Sequence, residues 1–203
     1  MENDDNNDPE DQEGFSKKKQ KRVKAPALIT TKHLENVALY YLERFATSAE
    51  NLRQVLRRRV YKSAKHHLSE PDVGYDLVDE LITRYISVGL LDDQAYADFR
   101  VLTLRRRGQS GRAIMAGLLA KGVEQDVIAM AIDHAGNQTG EAETELQAAM
   151  TLARRRKLGR FGRRDCRENN RDKDLGKLAR AGFSYDIALQ VIDGNDDDDD
   201  LII

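Results

Sequence analysis

From about residue 30 to residue 194 the chain repeats one physical pattern: apolar positions spaced by three and four, opened by a hydroxyl or carboxylate side chain and closed by glycine. That spacing collects the apolar groups on one face of an α-helix. In "LITTKHLENVALYYLERFA" the stripe is Leu34, Val37, Ala38, Tyr41, Leu42 and Phe45, with Thr30 or Thr31 as N-cap. "SAENLRQVLRRRVYKSAKHH" opens on Ser48, carries Glu50 in its positive first turn and aligns Leu52, Val55, Leu56 and Val60. "LSEPDVG" reads as a loop. "YDLVDELITRYISVGLL" is a third helix through Leu77, Val78, Leu81, Ile82 and Tyr85, stopped by Gly89 as a left-handed C-cap.

The same order recurs twice. "DDQAYADFRVLTLRRRG" opens on Asp92 or Asp93 and closes on Gly108; "SGRAIMAGLLAKG" runs from Ser110 to Gly122; "EQDVIAMAIDHAG" runs to Gly136. "TGEAETELQAAMTLARRRKLG", "ENNRDKDLGKLARAG" and "SYDIALQVIDG" form the third set, with Ser184 as a cap and Gly182 and Gly194 as stops. A shift of 62 residues superposes Leu34 on Tyr96, Leu39 on Val101, Leu42 on Leu104, Ser48 on Ser110, Leu52 on Ile114, Leu56 on Leu118 and Arg59 on Lys121. A shift of 60 superposes Leu118 on Leu178, Gly122 on Gly182, Val123 on Phe183, Asp126 on Asp186, Val127 on Ile187 and Ile132 on Ile192. The expected fold is all-α: tandem three-helix repeats, three triplets in an elongated curved array. The expected units are residues 28–90, 91–137 and 138–194, flanked by disordered charged tails at 1–27 and 195–203.

Charge sharpens this picture. The formal net charge of −2 hides seven acids in residues 1–14, six bases in 15–24 and five aspartates in the C-terminal tail, leaving +4 for residues 25–194. Residues 53–67 carry six bases and no acid, 101–112 four and no acid, and 152–167 eight against the single Asp165. The triplets Arg57–Arg59, Arg105–Arg107 and Arg154–Arg156 begin 48 and then 49 residues apart. Under the helix register the first belongs to a second helix and the other two end first helices, so the equal spacing is partly accidental. Successive helical residues turn by about 100°, so each triplet can aim one or two arginines at a partner. Arg106 shares the azimuth of Phe99 and Ala95 and is expected to snorkel along the core edge. Arg105, on the side of Asp98, is expected to reach a partner. Part of the pattern is ordinary helix chemistry, because bases near a C-terminus complement the macrodipole.

Other chemistries find little support. His33, His66, His67 and His134 show no metal-ligand spacing, and His66 and His67 read as an exposed helix end. "GLLAKG" lacks the spacing and hydroxyl of a phosphate loop. Cys166, the lone cysteine, has no catalytic motif around it. Tyr41, Phe45, Tyr85, Tyr96 and Phe99 fall on apolar stripes, which leaves no evident base-stacking platform, and contact with phosphate backbones is the better fit. The chain is expected to be a cytoplasmic monomer without cofactor, metal or membrane span, and not an enzyme.

In "GLLDDQAYADFRVLTLRRRGQSGRAIMAGLLAKGV", Gly89, Leu91, Asp93, Tyr96, Ala97, Arg106, Gly108, Ile114, Leu118, Lys121, Gly122 and Val123 form G-x-[LI]-x-D-x-x-[FY]-A and L-x-x-K-G-[IV] patterns. Here the sequence resembles the RecX family of recombinase regulators, and the likeness extends over about residues 30–193. Gly117 stands where the family tends to have Glu, and "KSAKHHLSEPDVG" is an insertion. The resemblance implies a molecule that lies in the groove of the RecA filament on DNA and modulates, usually inhibits, recombinase and coprotease activity. Arg57, Arg105, Arg107, Arg112, Lys121, Arg154, Arg156, Arg163 and Arg164 are the candidates for contact with filament or DNA phosphates. A general helical DNA-binding protein and an adaptor using apolar helix faces are the alternatives.

Overall fold

Three separate sets of buried apolar side chains organise the chain. The first joins Leu34, Leu52, Leu56, Val78, Ile82 and Leu91; the second Ala97, Val101, Ile114, Leu118 and Ile128; the third Ala149, Leu152, Leu158, Leu178, Phe183 and Val191. The structure, a computed structural model, describes residues 25–67, 70–136, 141–163 and 167–194. Readings that concern the far tails, Arg164 and Cys166 lie outside these residues.

Among the described residues there are nine α-helices and no strand: α1 Thr31–Leu42, α2 Ala49–His67, α3 Asp72–Ser87, α4 Asp93–Arg106, α5 Gly111–Leu119, α6 Gln125–Gly136, α7 Glu141–Arg156, α8 Arg167–Arg180 and α9 Tyr185–Asp193. One 3-10 turn, Gly159–Phe161, follows α7. Together they form the all-α repeat array that the pattern predicts.

The caps explain where the helices start. Thr30, Asp92, Ser110 and Ser184 have extended backbones, and their side chains accept the N–H three residues on, from His33, Ala95, Ala113 and Ile187. The ends are equally local. Gly122 and Gly182 adopt φ of 73° and 95°, and the residues after them, Val123 and Phe183, donate back to the carbonyls of Leu118 and Leu178. Both of those residues are buried, so each turn ends by returning an apolar side chain to the core.

One expected loop is in fact helical. Asp72, Val73 and Gly74 of "LSEPDVG" form the first turn of α3, with Pro71 at its N-cap. Proline costs nothing at a helix start, where its missing N–H would have had no intrahelical partner. Gly74 lets α3 approach α2: a Cβ there would stand 2.5 Å from Val60 Cγ1.

The register of 60 residues agrees with burial at Leu118 and Leu178 and at Val123 and Phe183, while Ile132 is only partly buried where Ile192 is buried. The register of 62 fits the second helices, in which Leu52, Leu56, Ile114 and Leu118 are all buried. It fails in the first helices. Leu39 is 45% exposed whereas Val101 is buried, and the buried pairs are Leu34 with Ala97 and Ala38 with Val101, a shift of 63. The loop between first and second helices absorbs the extra residue. Phe45 and Phe99 are also exposed, contrary to their expected places on core stripes. In α4 the reason is that α6 and α7 both pack on it, which turns Ala97, Val101, Leu104 and Arg105 inward.

Candidate functional site

The joints between repeats are built twice from the same parts. Ser48 Oγ accepts from Asn51 N and donates to the carbonyl of Lys121 at 2.5 Å; Ser110 Oγ accepts from Ala113 N and donates to the carbonyl of Ala181 at 2.6 Å. The C-terminal turn of α5 is thereby set against the N-terminus of α2, and that of α8 against the N-terminus of α5. This is the favourable head-to-tail order of helix dipoles. An acid from the next repeat completes each joint. Asp93 Oδ1 accepts from Ala49 N at 2.8 Å, and the Glu145 carboxylate accepts from Gly111 N at 3.1–3.2 Å. Burial pushes the Asp93 carboxyl above its ordinary value, the bond from Ala49 opposes this, and Asp92 and Glu124 nearby add to the rise.

Around this frame the arginines have different fates. Arg57 bonds Asp79 of α3 at 2.6 Å and lies near the Tyr75 ring, so much of its charge is answered within its own repeat. Arg105, expected to face a partner, is buried and forms an ion pair with Glu145 across the second joint. Arg106, expected at the core edge, is the exposed member of the pair. The two exchange places because Phe99, expected on the core stripe, is exposed. Glu145 lies 40 residues away in sequence, and nothing local signals it.

Arg107, Arg112, Lys121, Arg154, Arg156 and Arg163 are exposed. Lys121 stands at the first joint, its Nζ 3.4 Å from Asn51 Oδ1. Arg112 stands at the second, lining a cavity of about 550 Å³ with Met115, Ile132, Asp133 and Glu145. The second and third triplets meet physically: Arg155 donates to the backbone carbonyl of Arg107 at 3.2 Å. Their 49-residue spacing, unlike that of the first, therefore records a contact between the ends of α4 and α7. Arg57 stays apart on α2, held by α3, and Arg164 is outside the described residues. Sequence reasoning missed Arg155 as a joint residue and Arg160 as a buried base beside the Phe161 ring.

Among the described residues no group of His, Cys, Asp and Glu could hold a metal ion, and no helix is long and apolar enough to cross a membrane. The joints and their rim of bases thus form the main candidate for binding.

A family model for the second three-helix domain of RecX matches residues 92–132, the segment from the cap of α4 into α6. Over 183 residues the chain is 40% identical to the regulatory protein RecX of Myxococcus xanthus, covering 90% of this chain and 96% of that one. The chain belongs to the RecX family. A second RecX, from Agrobacterium fabrum, is 29% identical over 161 residues, covering 77% of this chain and 80% of the other. The crystal structure of RecX from Lactobacillus salivarius superposes with a TM-score of 0.57 at 23% identity, covering 85% of this chain and 97% of that one, a likeness of fold. RecX relatives are named as regulatory proteins, which gives this chain a regulatory role. Gly117 lies exposed on α5 with open space where a Cβ would stand. The segment "KSAKHHLSEPDVG" begins in the last turns of α2, where Ser63 donates to the carbonyl of Ala27 and His67 Nε2 lies 2.9 Å from that of Pro26.

Proposed function

We propose that this chain is a cytoplasmic, non-catalytic, monomeric regulator that binds the RecA filament on DNA and lowers its recombinase and coprotease activities. What supports the reading is the near full-length likeness to a regulatory protein RecX, combined with exposed bases at successive joints of a repeat array. Units of residues 28–90, 91–137 and 138–194 would present Lys121 at one joint and Arg107, Arg112, Arg154 and Arg156 at and near the next. Spaced cations on a helical array suit a polyanion that continues past any one repeat, and each phosphate contact releases counterions. Arg163 would extend the basic rim, Arg164 lies outside the described residues, and Arg57 would contribute least, being paired with Asp79. Arg105 is left out because it is buried against Glu145.

The test is RecA ATP hydrolysis and strand exchange on single-stranded DNA with stoichiometric protein. Inhibition is expected, and Arg107→Glu, Arg112→Glu and Arg156→Glu together should relieve it while far-ultraviolet circular dichroism stays native. No effect of the unaltered protein on either activity would overturn the proposal. Tight, salt-steep DNA binding with no effect on RecA would support the simpler DNA-binding reading.

A further inference from the structure

Phe45 is 54% exposed, its ring 5.0 Å from that of Tyr41 and tilted by 44° to it. The aromatic surface that a buried Phe45 would have excluded is therefore present, just beyond the end of α1. One residue earlier along the chain a second pair is open: the Arg44 guanidinium lies 3.6 Å over the Tyr40 ring, and Tyr40 is 60% exposed. Arg44 forms no ion pair among the described residues; its neighbour Glu43 is the acid on this turn. Tyr41 leads from the aromatic pair to the first joint. Its Oη accepts from Asn51 Nδ2 at 3.2 Å, and Asn51 Oδ1 accepts from Lys121 Nζ at 3.4 Å. Ser48 fixes the Lys121 backbone at the same place. Lys121 is exposed, and its ammonium meets a neutral amide rather than a carboxylate, so its charge stays available. The aromatic pair comes from the first repeat and the cation from the second, so the arrangement exists only while the joint is closed.

We propose that this is a stacking site for an unpaired nucleobase: the base lies on the open side of Phe45, a neighbouring phosphate meets Lys121, and the Arg44–Tyr40 stack offers a second planar surface to an adjacent base. Shape and charge select the occupant together. Flat aromatic and guanidinium surfaces flanked by uncompensated cations suit planar rings joined by anions, because every base has a π-face and every link of the strand carries a negative charge. A guanidinium plane is itself a surface on which a base can lie. In a duplex the bases are taken up by pairing and by one another, so the fit is to a single strand. Stacking here rests on the nucleic-acid contact put forward above, and adds that bases are held as well as phosphates.

Fluorescence anisotropy would compare a labelled oligothymidylate with an abasic oligonucleotide of equal length, which keeps the phosphates and lacks the bases. The full chain should bind the thymidylate at least about 5-fold more tightly at matched salt. Phe45→Ala and Phe45→Leu should both remove that preference, the second because leucine keeps apolar bulk without a π-face, and both should keep a native far-ultraviolet circular dichroism spectrum. Phe45→Trp should retain it. Since the chain has no other tryptophan, the emission of that indole should be quenched by the thymidylate and not by the abasic strand. Lys121→Gln should weaken both oligomers alike and lower the log–log salt slope by about 0.7. Equal affinity of the unaltered chain for the two oligomers, or a preference that survives Phe45→Ala, would overturn the stacking site and leave the phosphate contact standing. Binding of neither oligomer would overturn both. Loss of RecA inhibition in Phe45→Ala with the base preference intact would assign the aromatic surface to a protein partner and also end the proposal.

Discussion

Ser110 Oγ donates to the carbonyl of Ala181, 71 residues away, while accepting the N–H of Ala113 in its own helix. One buried hydroxyl therefore starts α5 and fastens the third repeat to the second. Ser110→Ala should cost about 2 kcal/mol, roughly 1 for the cap and 1 for the bond across the joint. Ser48→Ala should cost a similar amount at the first joint. Urea denaturation checks both, and the double variant should be close to additive because the two hydroxyls share no partner.

Arg105 should behave as a structural residue. Arg105→Met removes one partner of a buried ion pair and leaves Glu145 facing Gly111 N alone, a loss of about 3 kcal/mol. Adding Glu145→Gln should recover most of it, since the amide oxygen still accepts from Gly111. Nucleic-acid affinity per folded molecule should not change in either variant. A drop in affinity without a drop in stability would place Arg105 at the surface after all.

Asp93 predicts a pH dependence of definite sign. Burial raises its folded-state value, so at neutral pH the carboxylate carries a desolvation penalty that protonation relieves. In the window between the unfolded value near 3.8 and the raised folded value, the native state binds more protons, and stability falls as pH rises. Asp93→Asn keeps an oxygen for Ala49 N and removes the titration. Relative to that variant the unaltered protein should gain stability as pH is lowered from 7 through this window. Parallel stability curves for the two would refute the assignment.

Two residues at equivalent positions after first helices have opposite fits to their backbone. Gly108 has φ of 76°, and a Cβ there would stand 2.7 Å from Leu152 N in α7. Lys157, in the same place after α7, holds φ of 53° with a side chain attached. Gly108→Ala should cost at least about 2 kcal/mol, from left-handed strain plus displacement of α7, whereas Lys157→Gly should stabilise by about 1 kcal/mol. Thermal unfolding monitored by circular dichroism distinguishes the two directions.

Gly117 offers a gain without contact. It is exposed in the middle of α5, and a Cβ there meets nothing within 4 Å. Gly117→Ala should raise stability by about 0.8–1 kcal/mol through helix propensity alone, read as a higher urea midpoint at unchanged slope.

What was legible in the sequence was local. Ser110, Ser184 and Asp92 announce helix starts by side-chain chemistry that acts over three residues, and Gly122 and Gly182 announce ends by backbone freedom. The 60-residue register held because both of its turns are closed by the same bonds. What was hidden was the neighbourhood. The inward face of α4 is decided by α6 and α7 packing on it, so an azimuth drawn from α4 alone exposed Arg105 and buried Phe99, the reverse of what the structure shows. Arg57 looked available because Asp79, 22 residues away, belongs to another helix. Pro71 read as part of a loop, although its position just before α3 is one that proline fits.

The recurrence of the hydroxyl-to-carbonyl joint has a consequence for how such chains can lengthen or shorten. Each unit carries the cap serine that receives its successor or the helix end that docks on its predecessor, and the middle unit carries both. Excising one period, residues 49–110, would bring Ser48 directly before Gly111, so that the helix now following Ser48 ends at the same Gly122 and its start faces the same Ala181 carbonyl. The hydroxyl-to-carbonyl joint survives the cut, while the Arg105–Glu145 pair and the close approach of Gly108 to α7 go with α4. Gain or loss of a unit is then a change of footprint along a partner, made by copying or deleting one stretch of gene and keeping the same hydroxyl-to-carbonyl joint.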